Sequence, residues 1–279
     1  MAFDTIISCA ELDKNLGNPG WVLVDCRFDL AAPEWGFEEY QQLHIPGAVY
    51  ADLDKDLAGH KTPSTGRHPL PKPADFCESM SRLGIDSSTQ VIVYDATSGS
   101  YAARLWFLLR LYGHPQVALL DGGFAEWHKQ GLTIEDGINH NKRREFRGTP
   151  DEKLIVSTSD MERLYSDPRW LLIDARAGER FRGEQETIDP VAGHIPNAVN
   201  RFHGENVSPD GLFLPAAQLK EDFSNLTNGF APENTVVYCG SGVTSCHHLV
   251  AMAIAGLPQP KLYAGSWSEW IRDPNRPIA

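Results

Sequence analysis

Apolar positions along this chain fall into two kinds of run. Short stretches such as "WVLVD" (21–25), "VIVYD" (91–95) and "VALLD" (117–121) are nearly continuous and rich in branched residues. They are too short for helices and apolar on both faces, as strands buried in a parallel sheet are. Longer stretches carry apolar residues at helical spacing. "SYAARLWFLLRLYG" (100–113) stops at Gly113, and "VTSCHHLVAMAIAG" (243–256) stops at Gly256, with Pro258 just beyond. Alternation of strand and helix predicts an α/β fold, a parallel sheet covered by helices.

The pattern occurs twice. "WVLVDCR" (21–27) returns as "WLLIDAR" (170–176), and "HIPGAVY" (44–50) as "HIPNAVN" (194–200). "VIVYD" (91–95) returns as "TVVYC" (235–239), and "GHPQVALLDGGFAEW" (113–127) as "GLPQPKLYAGSWSEW" (256–270). Four blocks in one order at nearly constant spacing predict two copies of one domain rather than a solenoid. The expected boundaries are 1–134 for the first copy and 154–279 for the second. The polar stretch 135–153 reads as a linker.

A chain of 279 residues with 42% hydrophobic and 22% charged residues has enough apolar side chains for two such cores. Its net charge of −12 argues against a nucleic-acid partner, because no basic excess is present to neutralise phosphates. No apolar run approaches a bilayer span, and "MAFDTIISCAELDKN" lacks the basic and apolar regions of a secretory signal, so no membrane partner is expected. Five cysteines, odd in number and without a C-x-x-C pair, predict free thiols in a reducing compartment, the cytoplasm by default.

Open α/β sheets bind ligands beyond the carboxyl ends of their strands. At that position the first copy has Asp95 and the second has Cys239. The chemistry is therefore expected in the second copy. Cys239 runs into "GSGVT", where Gly240 and Gly242 permit conformations that curl backbone N–H groups around an anion. The following helix adds the positive end of its dipole. Both favour thiolate over thiol, and Ser241 and Thr244 offer hydroxyl donors. The competing reading is an inert buried cysteine.

These residues resemble the two-domain rhodanese-like sulfurtransferases over nearly the whole chain. "YQQLHIPGAV" (40–49) and "LYAGSWSEW" (262–270) are similar to the family's N- and C-terminal signatures. "CGSGVTS", Cys239 to Ser245, resembles the active loop of 3-mercaptopyruvate sulfurtransferases. The resemblance implies two tandem rhodanese-like domains and a persulfide relay. Cys239 takes the outer sulfur of a small anionic donor, 3-mercaptopyruvate or thiosulfate, and hands it to cyanide, a small thiol or a reduced thioredoxin-like protein. Neither a metal nor an organic cofactor is implied. Gly240, Ser241, Gly242, Val243, Thr244 and Ser245 would cradle the transferred sulfur.

Among Arg176, Arg180 and Arg182, the resemblance selects Arg180 as the anion-binding residue, since a guanidinium fork suits a carboxylate. A second arginine common downstream in mercaptopyruvate enzymes is absent. No arginine lies between Arg182 and His194, and the position falls near Asp189, which keeps thiosulfate open as the donor. The run 52–71 is similar to a family loop whose histidine and aspartate assist proton movement with the loop serine, Ser241. His68 and Asp54 match these residues; the match needs an insertion across 55–67, so His60 competes with His68.

Other features are expected to be structural. His44 and His194 recur in both copies although only one has the cysteine, so each reads as stabilising a turn. "CHH" (246–248) cannot chelate one ion, because consecutive helical residues diverge. Cys246 reads as a packed thiol, with a resolving role as the alternative. A cysteine phosphatase is disfavoured, because position 245 is serine and no lysine or arginine follows before Lys261. A non-catalytic sulfur or redox sensor is separated from an enzyme only by turnover.

Overall fold

The computed structural model describes residues 3–279. Contacts divide the chain into two compact units. One takes the chain up to Gly59 with Pro71–Pro150 and Val207–Phe213; the other takes His60–Leu70, Asp151–Asn206 and Leu214–Ala279.

The first unit is built on five strands: β1 (Ile6–Ile7), β2 (Trp21–Asp25), β3 (Val49–Tyr50), β4 (Gln90–Tyr94) and β5 (Val117–Leu120). All pair in parallel in the order β1-β5-β4-β2-β3. The second unit repeats the arrangement with β6 (Ile155–Val156), β7 (Leu171–Asp174), β8 (Ala198–Asn200), β9 (Thr235–Tyr238) and β10 (Lys261–Tyr263), in the order β6-β10-β9-β7-β8. The continuous apolar runs are the central strands, and every residue of β4 and β9 is buried.

The helix Ala102–Leu111 is mostly apolar, with Arg104 and Arg110 as its charged residues, and is buried at nine of its ten positions. Its counterpart Cys246–Ile254 is buried at seven of its nine positions. Gly113 and Gly256 follow these helices with left-handed φ of 79° and 66°, the geometry of a glycine C-terminal stop. Residues 136–150 run without helix or strand among the residues of the first unit, and Phe146 packs edge-on against Phe76.

In the second unit, chain order moves outward one way from β7 to β8 and the other way from β9 to β10. The two loops leaving β7 and β9 therefore part from each other at the carboxyl edge, which is where a crevice opens in such sheets. One carries Arg176 and Arg180; the other begins at Cys239. No helix among the described residues is long and apolar enough to cross a membrane.

Candidate active site

Cys239 directly follows β9 and is 1% exposed. Its backbone is laced to the turn after β10. Its N–H donates to Ser266 Oγ (3.1 Å), its carbonyl accepts from Trp267 N–H (3.0 Å), and Gly240 O accepts from Ser268 N–H (2.9 Å). Ser266 holds a left-handed φ of 56°, and its hydroxyl donates to Tyr263 O at 2.9 Å. At the matching place the first copy has Gly123, where a Cβ would lie 2.4 Å from Asp95 O. Gly242 is left-handed too, at 74°, and a Cβ there would meet Ala264 O at 2.3 Å. Only glycine lets the loop turn this tightly.

The first copy shows what such a loop binds. Asp95 Oδ1 accepts N–H bonds from Thr97 (2.7 Å) and Gly99 (2.9 Å), and Oδ2 accepts from Tyr101 (2.8 Å) and Ala102 (2.9 Å). Four amides thus close on one carboxylate, an anion nest filled by its own side chain. In the second copy the matched positions are Ser241, Val243, Ser245 and Cys246, and the anion they can surround is the sulfur of Cys239.

Burial alone pushes a thiol's pKa up. Burial first, with the carboxylates of Glu126 and Asp121 adding to it, raises Cys9 to about 11; burial, with Asp25, Asp95 and Asp56, raises Cys26 well above the ordinary value. Cys239 is just as buried, yet its pKa is lowered. Burial is the largest influence and acts upward, but it is outweighed by hydrogen bonds from the Ser245 and Thr244 hydroxyls and the N–H groups of Ser241 and Ser245. Ser245 Oγ is buried with no other partner among the described residues, and its hydroxyl is one of the groups that favour the Cys239 thiolate.

Ser241 turns its hydroxyl the other way, to His68 Nδ1 at 2.8 Å, with both side chains buried. Of the two serines, Ser245 supplies the hydroxyl at the sulfur, not Ser241. His68 lies in the segment His60–Leu70, which is fastened within the second unit. Gly66 N–H bonds Glu269 Oε2 (3.2 Å), Arg67 N–H bonds Ser268 Oγ (3.0 Å), and Arg272 Nε bonds Thr65 O (3.1 Å). His60 belongs to the same segment and is exposed. Asp54 belongs to the first unit, where its N–H donates to Asp52 Oδ1 at 2.8 Å.

The three candidate arginines separate cleanly. Arg176 is buried on Asp174, as Arg27 is on Asp25, and lies over Trp267. Arg182 is half exposed and pairs with Glu184. Arg180 alone reaches the loop, its two terminal nitrogens 3.7 Å from where a Cβ on Gly240 would stand. Glu186 takes its Nε and Nη2, and Asp189 Oδ2 takes Nη2 at 3.0 Å.

The remaining motifs are structural. His44 Nδ1 and His194 Nδ1 sit on the carbonyls of Tyr40 (2.7 Å) and Phe181 (2.8 Å). His247 and His248 are buried and share Asn206 Nδ2 (3.0 and 2.9 Å). The Cys246 thiol is fully buried and donates to Gly242 O.

Comparison with known proteins decides the family. The Rhodanese-like domain description matches residues 8–130 and 157–273. The chain belongs to the rhodanese-like family. It is 45% identical to a probable 3-mercaptopyruvate sulfurtransferase of Pseudomonas aeruginosa, covering 100% of this chain and 99% of that protein. It is 32% identical to a rat thiosulfate sulfurtransferase, over 84% of this chain and 80% of the other. Among solved structures it resembles the 3-mercaptopyruvate sulfotransferase SseA of Escherichia coli, with a TM-score of 0.82, 32% identity, and coverage of 96% of this chain and 100% of that one. This rhodanese-like protein is accordingly a sulfurtransferase, an enzyme of the transferase class, with two tandem domains of parallel sheet flanked by helices.

Proposed function

We propose that this sulfurtransferase uses 3-mercaptopyruvate as its preferred donor and that Cys239 carries the sulfur as a persulfide. The Cys239 thiolate attacks the donor's sulfur, forming the S–S bond as the S–C3 bond breaks. The bonding electrons leave as the enolate of pyruvate, which takes up one proton to become pyruvate. Gly240, Gly242, Val243 and the N–H and hydroxyl groups of Ser241, Thr244 and Ser245 cradle the transferred sulfur and spread its charge. Cyanide, a small thiol or a thioredoxin-like dithiol then attacks the outer sulfur. This forms thiocyanate or a new persulfide and returns the Cys239 thiolate.

One observation carries the choice of donor: the 2.8 Å contact between Ser241 Oγ and His68 Nδ1 beside the thiolate. A leaving enolate needs a proton, and a histidine linked to the loop serine can supply it. Sulfite, the leaving group of thiosulfate, departs as a stable dianion and needs none. Thiosulfate remains the second reading, favoured by Asp189 standing where a second arginine would otherwise face the substrate. Five free thiols fit a reducing compartment, and we place the protein in the cytoplasm.

The test measures thiocyanate production from each donor with cyanide as acceptor. His68→Gln and Ser241→Ala are expected to lower kcat with 3-mercaptopyruvate by about a hundred- to ten-thousandfold, the usual worth of general acid–base help. Turnover of thiosulfate should be affected much less. Equal losses with both donors would remove the argument for a proton-requiring leaving group. A Cys239 that becomes modified without turnover of either donor would make the protein a sensor.

A further inference from the structure

We propose that Asn206 is a positioning residue for the sulfur cradle, holding His247 and His248 in one tautomer so that the turn after Cys239 keeps its donors on the sulfur. This rests on the reading of Cys239 as the thiolate that carries the sulfur. It gives the paired histidines behind the loop a task other than metal binding.

The contacts run over a short path within the second unit. Asn206 is fully buried at the end of the helical turn His203–Asn206, which packs on the helix Cys246–Ile254. Arg201 Nη2, which can only donate, bonds Asn206 Oδ1 at 3.3 Å. That contact fixes which way the amide points. Its Nδ2, also a donor only, faces His247 Nδ1 at 3.0 Å and His248 Nδ1 at 2.9 Å. Both Nδ1 atoms are therefore acceptors, and each ring carries its proton on Nε2. His248 donates that proton to Arg201 O at 2.9 Å. Neutral rings suit these surroundings. Burial first, with Arg201, His247 and His203 as cationic neighbours, holds the His248 pKa well below the ordinary histidine value, against the bond to Arg201 O. The nearby carboxylates Asp222 and Glu205 are paired with Arg201 at 3.3 and 3.5 Å. Phe223 meets the His248 ring edge-on, 5.4 Å between centroids.

The backbones of the same two histidines reach the cradle. His247 N–H donates to Thr244 O at 3.2 Å, and His248 N–H donates to Ser245 O at 3.1 Å. Thr244 and Ser245 are the residues whose hydroxyls lower the Cys239 pKa. One amide thus sets two rings, and the backbones behind those rings set the two residues that face the sulfur. The first copy is built differently at the matching place. Its residues there are Ala103 and Arg104, and Arg104 Nε bonds Leu57 O at 3.3 Å. In that copy the nest is filled by the Asp95 carboxylate, and no thiol has to be ionised.

Alkylation of Cys239 as a function of pH, mapped by peptide mass, tests the assignment in Asn206→Ala. Nitrogen-15 NMR of the histidine tautomers, with signals assigned through His247→Gln and His248→Gln, tests it independently of turnover. In wild type at neutral pH both rings are expected to show a protonated Nε2 and a bare Nδ1. Asn206→Ala is expected to move the alkylation midpoint upward by about half to one pH unit, the worth of one ordinary hydrogen bond. Below that midpoint kcat/KM should fall about three- to tenfold. A lower Tm with an unmoved midpoint would make Asn206 a packing residue only and overturn the proposal. An Nδ1–H on either ring in wild type would overturn it too. If Asn206→Ala does not fold, Asn206→Asp decides. Its carboxylate can only accept, so it should draw protons to Nδ1 and raise the midpoint; wild-type tautomers or a wild-type midpoint overturn the proposal. A wild-type Cys239 that resists alkylation until alkaline pH defeats the thiolate reading itself, an outcome distinct from any change produced at Asn206.

Discussion

Removing one hydroxyl, in Ser245→Ala, separates a thiolate cradle from a merely buried cysteine. Ser245 is completely buried, and its hydroxyl is among the groups that lower the pKa of Cys239. A hydrogen bond to a charged group is worth about 1.5–3 kcal/mol net. Each pKa unit corresponds to about 1.36 kcal/mol, so losing the bond should move the ionisation of residue 239 upward by about one to two pH units. The sign follows from the donor's preference for the charged form: without it, burial pulls harder toward the neutral thiol. Below both ionisations the thiolate fraction, and with it kcat/KM, should drop about ten- to a hundredfold. On the alkaline plateau wild type and variant should converge. The assay is the pH dependence of kcat/KM and, independently, of alkylation at position 239 mapped by peptide mass. Superimposable profiles from a variant with wild-type Tm would refute the claim that the Ser245 hydroxyl holds the sulfur ionised.

Two further outcomes follow from the loop. Gly242→Ala should destabilise the protein by at least about 1–2 kcal/mol, the cost of a left-handed non-glycine residue. Its contact with Ala264 O adds to that cost; a lower Tm and loss of thiocyanate production would show it, and a wild-type Tm would deny it. At neutral pH, iodoacetamide should label Cys239 ahead of Cys9 and Cys26. All three are buried alike, but only Cys239 has its pKa lowered; labelling of Cys9 or Cys26 at a comparable rate would contradict the electrostatic assignment.

The parts of this molecule that could be read along the chain are those built from local pattern. Strands β4 and β9 are built on the apolar runs 91–94 and 236–238, are buried throughout, and each leads into the residue that defines its copy, Asp95 or Cys239. Gly113 and Gly256 mark the helix ends because a left-handed turn there leaves glycine as the low-cost choice. The active loop was legible for the same reason: glycines directly after a strand-ending cysteine free the backbone to curl its amides around the sulfur. What stayed hidden depends on contacts between distant segments. Asn206 is unremarkable beside Glu205 until the fold sets its amide against two histidine rings, and Asp189 reads as a lost arginine until two guanidiniums are seen on its oxygens. The division of labour between Ser241 and Ser245 also escaped the sequence, since either hydroxyl can be drawn toward the sulfur and only backbone geometry separates them. Ser266 hid because its sister position is Gly123, and a serine there gave no sign of a left-handed turn.

The central claim, that Cys239 takes up and hands on a single sulfur atom, is tested most directly by the mass of the protein itself. Wild type and Cys239→Ser are incubated with 3-mercaptopyruvate, weighed intact by mass spectrometry, treated with cyanide and weighed again. The expected result is a gain of one sulfur atom, localised to the peptide containing residue 239, that disappears with cyanide as thiocyanate forms and never occurs in Cys239→Ser. A wild-type protein that forms pyruvate without gaining that mass, or a Cys239→Ser variant that gains it equally, would contradict the account.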